Sequence, residues 1–114
     1  MPSSVKHMFS AQVTGPETDI DARTDVQATL RFLVILNTTA AVAYLQVFNA
    51  PAASVTLGTT APTMSIGLPA SSAMVFPVPE SGIYMGGGGL SMAGTTTRTG
   101  STGAPLDINV GYEG

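Results

Sequence analysis

The sequence predicts an all-β protein, an antiparallel β-sandwich of jelly-roll type. Three short apolar runs with alternating side chains lie at residues 44–49, 63–68 and 73–78, and each is bounded by Pro, Gly, Ser or Thr. Nothing between residues 43 and 92 has helical spacing, and the prolines of that stretch would interrupt a helix. Along the whole chain about seven or eight such strands alternate with turn signals, which is typical of a sandwich or jelly roll.

Residues 26–38 (VQATLRFLVILNT) predict the first long strand. Alternation with period two gives one face with Leu30, Phe32, Val34 and Leu36 and a second face with Leu33 and Ile35. A strand that is apolar on both faces is either central between layers or covered by another subunit, and in a chain of this length the second option is favoured. A polar turn at 37–40 leads into a strand at 42–48, and we expect these two strands to pair as an antiparallel hairpin.

Two further strands have a regular alternation. In the strand at 43–48 one face carries Ala43, Leu45 and Val47, and the other carries Tyr44, Gln46 and Phe48. The last strand, 106–112, directs inward the side chains of Leu106, Ile108, Val110 and Tyr112.

The middle of the chain predicts a second pair of strands, at 63–68 and 73–78. Prolines at 77 and 79 cannot donate ladder hydrogen bonds, so the latter strand ends there or lies at a sheet edge. Four consecutive glycines at 86–89 indicate a backbone bulge or a close approach of chains, and a strand resumes at 90–92.

Residues 1–25 read as an extended N-terminal arm, with a short strand at 5–13, ahead of a sandwich domain at 26–114. The segment has no sustained hydrophobic period and holds four of the seven acidic residues, Glu17, Asp19, Asp21 and Asp25. Two interpretations stay open: a tether laid along a neighbouring molecule, and a frayed terminus without a role.

Composition excludes several classes of function. Net charge is -3 with only four basic residues, which argues against nucleic-acid binding as the main activity. The longest strongly apolar run, 32–36, is far shorter than the ~20 residues of a membrane-spanning helix. Charged residues make up 10% of the chain, against roughly 25% in an average soluble domain. This scarcity favours an obligate oligomer or a member of an assembly over a monomer with a neutral, Thr-rich surface.

The chain has no cysteine, so disulfides and thiolate metal sites are excluded. Lys6 is not followed by an apolar region, so no secretory signal is expected. The sequon at Asn37 should therefore stay unmodified. These features predict synthesis in a cytoplasm and deployment without secretion.

No enzyme chemistry is predicted. Residues 89–93 (GLSMA) have the spacing of a nucleophile elbow, but such an elbow needs an α/β sheet and a His base, and the only histidine is His7. We interpret Ser91 as a strand residue beside a glycine turn. The glycine run lacks the Lys-Ser/Thr ending of a phosphate loop, and the N-terminal carboxylates lack EF-hand spacing. We expect no catalytic residue, no cofactor and no metal site.

The order of the phrases from Phe48-Asn49 onward resembles a known group of proteins. A Pro/Ala loop follows that pair, then TAPTMSIGLPA at 60–70, an apolar strand, and GIYMGGGGLSMAG at 82–94. This order is similar to that of small tailed-bacteriophage structural proteins, the β-sandwich kind that decorate or cement heads or belong to tails. The resemblance covers roughly the last seventy residues and leaves residues 1–25 outside.

The resemblance implies a virion protein on the outer head surface, a capsid decoration or cement protein that is a homotrimer and binds the major capsid protein. No nucleic-acid or membrane partner and no cofactor is expected. The residues expected to contact the capsid or a second subunit are Val5, Met8, Phe9, Leu33, Ile35, Tyr84 and Met85.

Two alternatives remain. The first is a tail or head-fibre adhesion module that binds a host surface glycan, for which Tyr44, Phe48 and Tyr84 would supply aromatic contacts, although core packing accounts for them equally well. The second is a free-standing bacterial binding module.

Overall fold

The computed structural model of the chain describes residues 6–13, 18–21, 29–84 and 89–113. Within these ranges the chain forms nine strands and one short 3-10 turn, Ala52–Ser54, and no helix there has the length and hydropathy to span a membrane. The all-β prediction is confirmed. The strands are β1 (Lys6–Val13), β2 (Thr18–Asp21), β3 (Thr29–Asn37), β4 (Ala43–Phe48), β5 (Met64–Leu68), β6 (Ser72–Phe76), β7 (Ile83–Tyr84), β8 (Leu90–Thr95) and β9 (Leu106–Glu113).

The strands form two antiparallel sheets. Sheet I has the order β1-β9-β3-β6, with the two-residue β7 also paired to β3, and sheet II has the order β2-β8-β4-β5. The chain changes sheet at every connection except β4–β5 and β6–β7. Neighbours in each sheet are therefore mostly distant in sequence, and the pairing of β3 with β9 is the most extensive contact between elements.

Both predicted hairpins are wrong. β3 pairs with β9, β6 and β7 in sheet I, whereas β4 pairs with β5 and β8 in sheet II. β5 and β6 likewise belong to different sheets. A short polar turn can join strands within one sheet or across two sheets. Here the crossing turns allow the apolar faces of the flanking strands to meet in one core.

The inner faces of the two sheets share one apolar cluster. Full burial of a Leu, Ile or Val side chain contributes roughly 1.5–3 kcal/mol, so this cluster is the main source of stability. The inward set predicted for β9 is confirmed, with Tyr112 half-buried against the cluster, and in β4 the face that points inward is the one with Ala43, Leu45 and Val47. The buried strand residues of the cluster are Leu30, Leu33, Ile35, Ala43, Leu45, Val47, Ile66, Leu68, Leu90, Met92, Leu106, Ile108 and Val110.

A β-bulge changes the phase of β3. Leu30 pairs with Tyr112 and Phe32 pairs with Gly111, so Arg31 is an extra residue opposite β9. The predicted face that joined Leu30 to Phe32 is therefore wrong. Leu30 faces the core together with Leu33 and Ile35, and Phe32 faces away from it.

Two segments of the predicted arm are strands of the sheets. β1 is antiparallel to β9, which confirms the short strand predicted at 5–13, and β2 is antiparallel to β8. The other residues of the predicted arm, 1–5, 14–17 and 22–25, lie outside the described residues.

Candidate functional site: the outer faces of the two sheets

The outer face of sheet I carries an apolar stripe, which consists of Phe32, Val34, Leu36, Val75 and Tyr84. The three β3 residues alternate with buried Leu33 and Ile35 and so point away from the core. Val75 is in register with Val34 on the neighbouring strand and is 75% exposed. Tyr84 is in register with Thr29 at the other end of β3, on the same face of the sheet, and is 61% exposed.

Polar residues border this stripe on the β9 side. Asn109 and Asp107 are in register with Val34 and Leu36. At the Tyr84 end, Arg31 Nε lies 3.2 Å from Glu113 Oε1 in a half-buried ion pair. Exposed apolar side chains that are gathered on one face and bordered by polar residues are typical of an interaction site.

The ring of Phe32 lies on the backbone of β9. A Cβ atom at Gly111, the residue in register with Phe32, would collide with that ring. The glycine lets the ring lie flat on the sheet, so that Phe32 is only 38% exposed. The β9 sequence thereby helps to shape the stripe on β3.

The predicted contact residues divide into three groups. Tyr84 is exposed on the stripe, but Leu33 and Ile35 are fully buried in the core, so their assignment as contacts is wrong. The bulge at Arg31 is the reason, because it gives the outward direction to Phe32, Val34 and Leu36. Met8 and Phe9 lie in β1, and their side chains are outside the described part of the structure, as are Val5 and Met85.

The outer face of sheet II is partly covered by the polar loop at 96–105. Gln46 Nε2 donates hydrogen bonds to Thr95 Oγ1 at 2.8 Å and to the Gly100 carbonyl at 3.0 Å. Ser65 Oγ donates to the Arg98 carbonyl at 2.7 Å. These bonds attach the loop to β4 and β5. Because the loop covers it, Gln46 is fully buried although its side chain points away from the core.

The same loop forms one wall of a groove, the Tyr44 groove. Its volume is about 520 Å³, and its lining residues are Val42, Tyr44, Thr96, Thr97, Arg98 and Thr99. The Tyr44 ring lies against the β5 backbone, since a Cβ at Gly67 would be only 3.0 Å from ring atom Cε2. Sequence reasoning named Tyr44 but missed Arg98 and the threonines, because only the fold brings the loop back over β4.

Replacing Gln46 by leucine should lower the free energy of unfolding by about 1 kcal/mol, because the Gly100 carbonyl and the Thr95 hydroxyl each lose a partner, while removal of the buried, unpartnered Gln46 Oε1 offsets part of that cost. Urea denaturation would measure the loss. Thr99→Ala, an exposed substitution in the same loop, should leave stability unchanged. Equal stability of the two variants would show that Gln46 does not hold the loop.

Two other residues singled out in the sequence are structural. Ser91 is a buried strand residue, as interpreted, and its Oγ donates to the Ala50 carbonyl at 2.7 Å. Asn37 is fully buried, and its Nδ2 donates to backbone carbonyls, so the sequon amide is inaccessible in the folded chain.

Phe48, Tyr44 and Tyr84 do not share a surface. Phe48 is 1% exposed in a small cluster with Val55 and Ala93. Tyr44 and Tyr84 lie on the outer faces of different sheets. The hypothesis of a sugar-binding face that contains all three aromatic side chains is therefore wrong.

Within the described ranges, no three His, Asp or Glu side chains are placed to hold a metal ion. Asp19 and Asp21 lie in β2, and Glu17 and Asp25 are outside these ranges.

No family model, curated protein or solved structure matches the chain significantly.

Proposed function

We propose that the chain is a virion structural protein of a tailed bacteriophage, a decoration protein that binds the outer head surface and stabilises it. The observation that carries the proposal is the apolar stripe. Of the five large hydrophobic side chains exposed in the described part of the chain, four lie on this one face: Phe32, Leu36, Val75 and Tyr84. Such clustering, in a chain with 10% charged residues, favours a protein that is covered by partners.

The fold we propose is a jelly-roll sandwich. The supporting feature is the nested pairing of strands, in which β1 pairs with β9, β2 with β8, β3 with β6 and β4 with β5. Two four-stranded sheets connected in this way contain two Greek keys, and β7 is a small addition to them. Viral capsid domains and lectin domains use this architecture, which is an analogy of fold and not of site.

The proposed partner of the stripe is the major capsid protein. The five side chains of the stripe offer less apolar surface than the ~800 Å² per partner of a stable standard interface. A single contact of this size is weak, at roughly 25 cal/mol per Å². Repetition around a capsid multiplies it, and a homotrimer, implied by the resemblance, would present three stripes at once. The free energy from apolar area buried against the capsid, added over many copies, would then oppose the outward pressure of packaged DNA.

The arm proposed for residues 1–25 would contact a partner in addition to the stripe. β1 and β2 complete the sheets, so a tether would come from the remaining residues of that segment. Val5 remains a candidate contact of this tether, whereas Met8 and Phe9, as residues of β1, would contact a partner from the edge of sheet I.

Val75→Lys should weaken binding to heads by at least about tenfold, because a lysine ammonium in the middle of the stripe must be desolvated on docking. The measurement is co-sedimentation of the purified protein with heads assembled without it. Val42→Lys is the matched control, since Val42 is 48% exposed but lies away from the stripe. Equal binding by both variants and the wild type, with all three folded, would contradict the proposal.

A further inference from the structure

The Tyr44 groove lies on the face of the molecule opposite to the stripe. Tyr44 faces away from the core on β4 of sheet II, whereas the stripe faces outward from sheet I. A partner that covers the stripe would leave the groove accessible. The two surfaces can therefore act independently.

The groove combines three kinds of group that recognise sugars. The half-buried Tyr44 ring offers an apolar surface, and the exposed hydroxyls of Thr96, Thr97 and Thr99 can donate and accept hydrogen bonds. Arg98 adds a planar guanidinium, which binds a carboxylate through two parallel hydrogen bonds. At about 520 Å³ the groove has the size of a site for a small ligand such as one or two sugar rings.

The charge at the groove favours an acidic ligand. Of the two arginines whose side chains the structure describes, Arg31 is paired with Glu113, but Arg98 has no ion pair with any described residue. Among the described residues, Arg98 is thus a cation without a carboxylate partner, in a chain whose net charge is -3. A ligand carboxylate would supply that partner.

The backbone of the groove is held in place before any ligand binds. The Arg98 carbonyl accepts from Ser65 Oγ, and the Thr97 carbonyl accepts from Thr95 Oγ1 at 2.7 Å. Gln46 anchors the far side of the loop at Gly100. A fixed loop reduces the ordering cost of binding, which matters for a shallow site.

We infer that the Tyr44 groove binds an acidic saccharide, a sugar whose carboxylate pairs with Arg98 while its ring packs on Tyr44. The inference goes beyond head binding and does not depend on it. On a decorated particle, this groove would face outward toward carboxylated surface polysaccharides.

Titration with a trigalacturonate probe, followed by backbone amide NMR, tests the inference directly. We expect shifts at 96–99 and near Tyr44, with a dissociation constant below about 10 mM, and roughly tenfold weaker binding of neutral galactotriose. Arg98→Gln should remove the preference for the acidic sugar, whereas Arg31→Gln should keep it. Tyr44→Ala should weaken both sugars.

Three outcomes would overturn the inference: no shifts at 10 mM probe, shifts located elsewhere, or an acidic preference that survives in Arg98→Gln. Because Arg98 is exposed, its replacement should not unfold the chain, and the amide spectrum of each variant reports this in the same experiment. Head binding by Arg98→Gln should equal that of the wild type, so failure here is distinguishable from failure of the decoration proposal.

Discussion

Replacing Asn37 by alanine should lower the free energy of unfolding by about 4 kcal/mol, because its buried amide connects two turns that cross between the sheets. Nδ2 donates to the Ala41 carbonyl at 3.0 Å, to the Leu68 carbonyl at 3.3 Å and to the Pro69 carbonyl at 3.0 Å. Oδ1 accepts from Thr39 N at 3.0 Å and from Thr39 Oγ1 at 2.7 Å. Alanine would leave several of these backbone groups without partners.

Thr38→Ala is the control for this variant, because Thr38 is exposed in the same turn. Its free energy of unfolding should stay within about 0.5 kcal/mol of wild type in urea denaturation. A loss below about 1 kcal/mol for Asn37→Ala would mean that water replaces the amide, and that the turns do not depend on it.

Replacing Gly89 by alanine should cost about 4 kcal/mol, through two effects that add. Gly89 has φ +121, a region that residues with a side chain rarely occupy. Its added Cβ would also lie 2.7 Å from the nitrogen and 2.9 Å from Cδ of Pro51, which are backbone and ring atoms that cannot rotate away. The close approach at this glycine is to Pro51 of the same chain, and residues 86–88 lie outside the described residues.

Gly58→Ala separates the two effects. Gly58 also has a positive φ, +85, but its added Cβ would meet only Ser101, at an ordinary 3.4 Å. We expect that variant to lose about 1–2 kcal/mol, from backbone strain alone. Thermal or urea denaturation of both proteins gives the comparison, and an equal loss in the two would eliminate the contact with Pro51 as a cause.

Local alternation predicted the β-strands and most of the core. The inward residues of β4 and β9 follow from period two, because each strand has one apolar face toward a single core. The same rule failed in β3, where the extra residue Arg31 shifts the phase. A bulge is set by the partner strand, here the distant β9, and nothing in the β3 sequence marks it.

Sheet assignment and the groove could not be predicted for a related reason. Whether the turn after Asn37 stays in one sheet or crosses to the other depends on contacts with Leu68 and Pro69, about thirty residues away. The loop that carries Arg98 is positioned by Gln46 and Ser65 on other strands. The sequence did predict Tyr84 as a contact residue. The other residues of the stripe and of the groove are brought together by contacts between segments that are distant in sequence.

Cryo-electron microscopy of phage heads incubated with the purified protein tests the central claim most directly. We expect density for the chain at regular positions of the shell, in groups of three, with Phe32, Val75 and Tyr84 of sheet I toward the capsid and the Tyr44 groove toward solvent. Bare heads at saturating protein, or bound protein with sheet II against the shell, would contradict it.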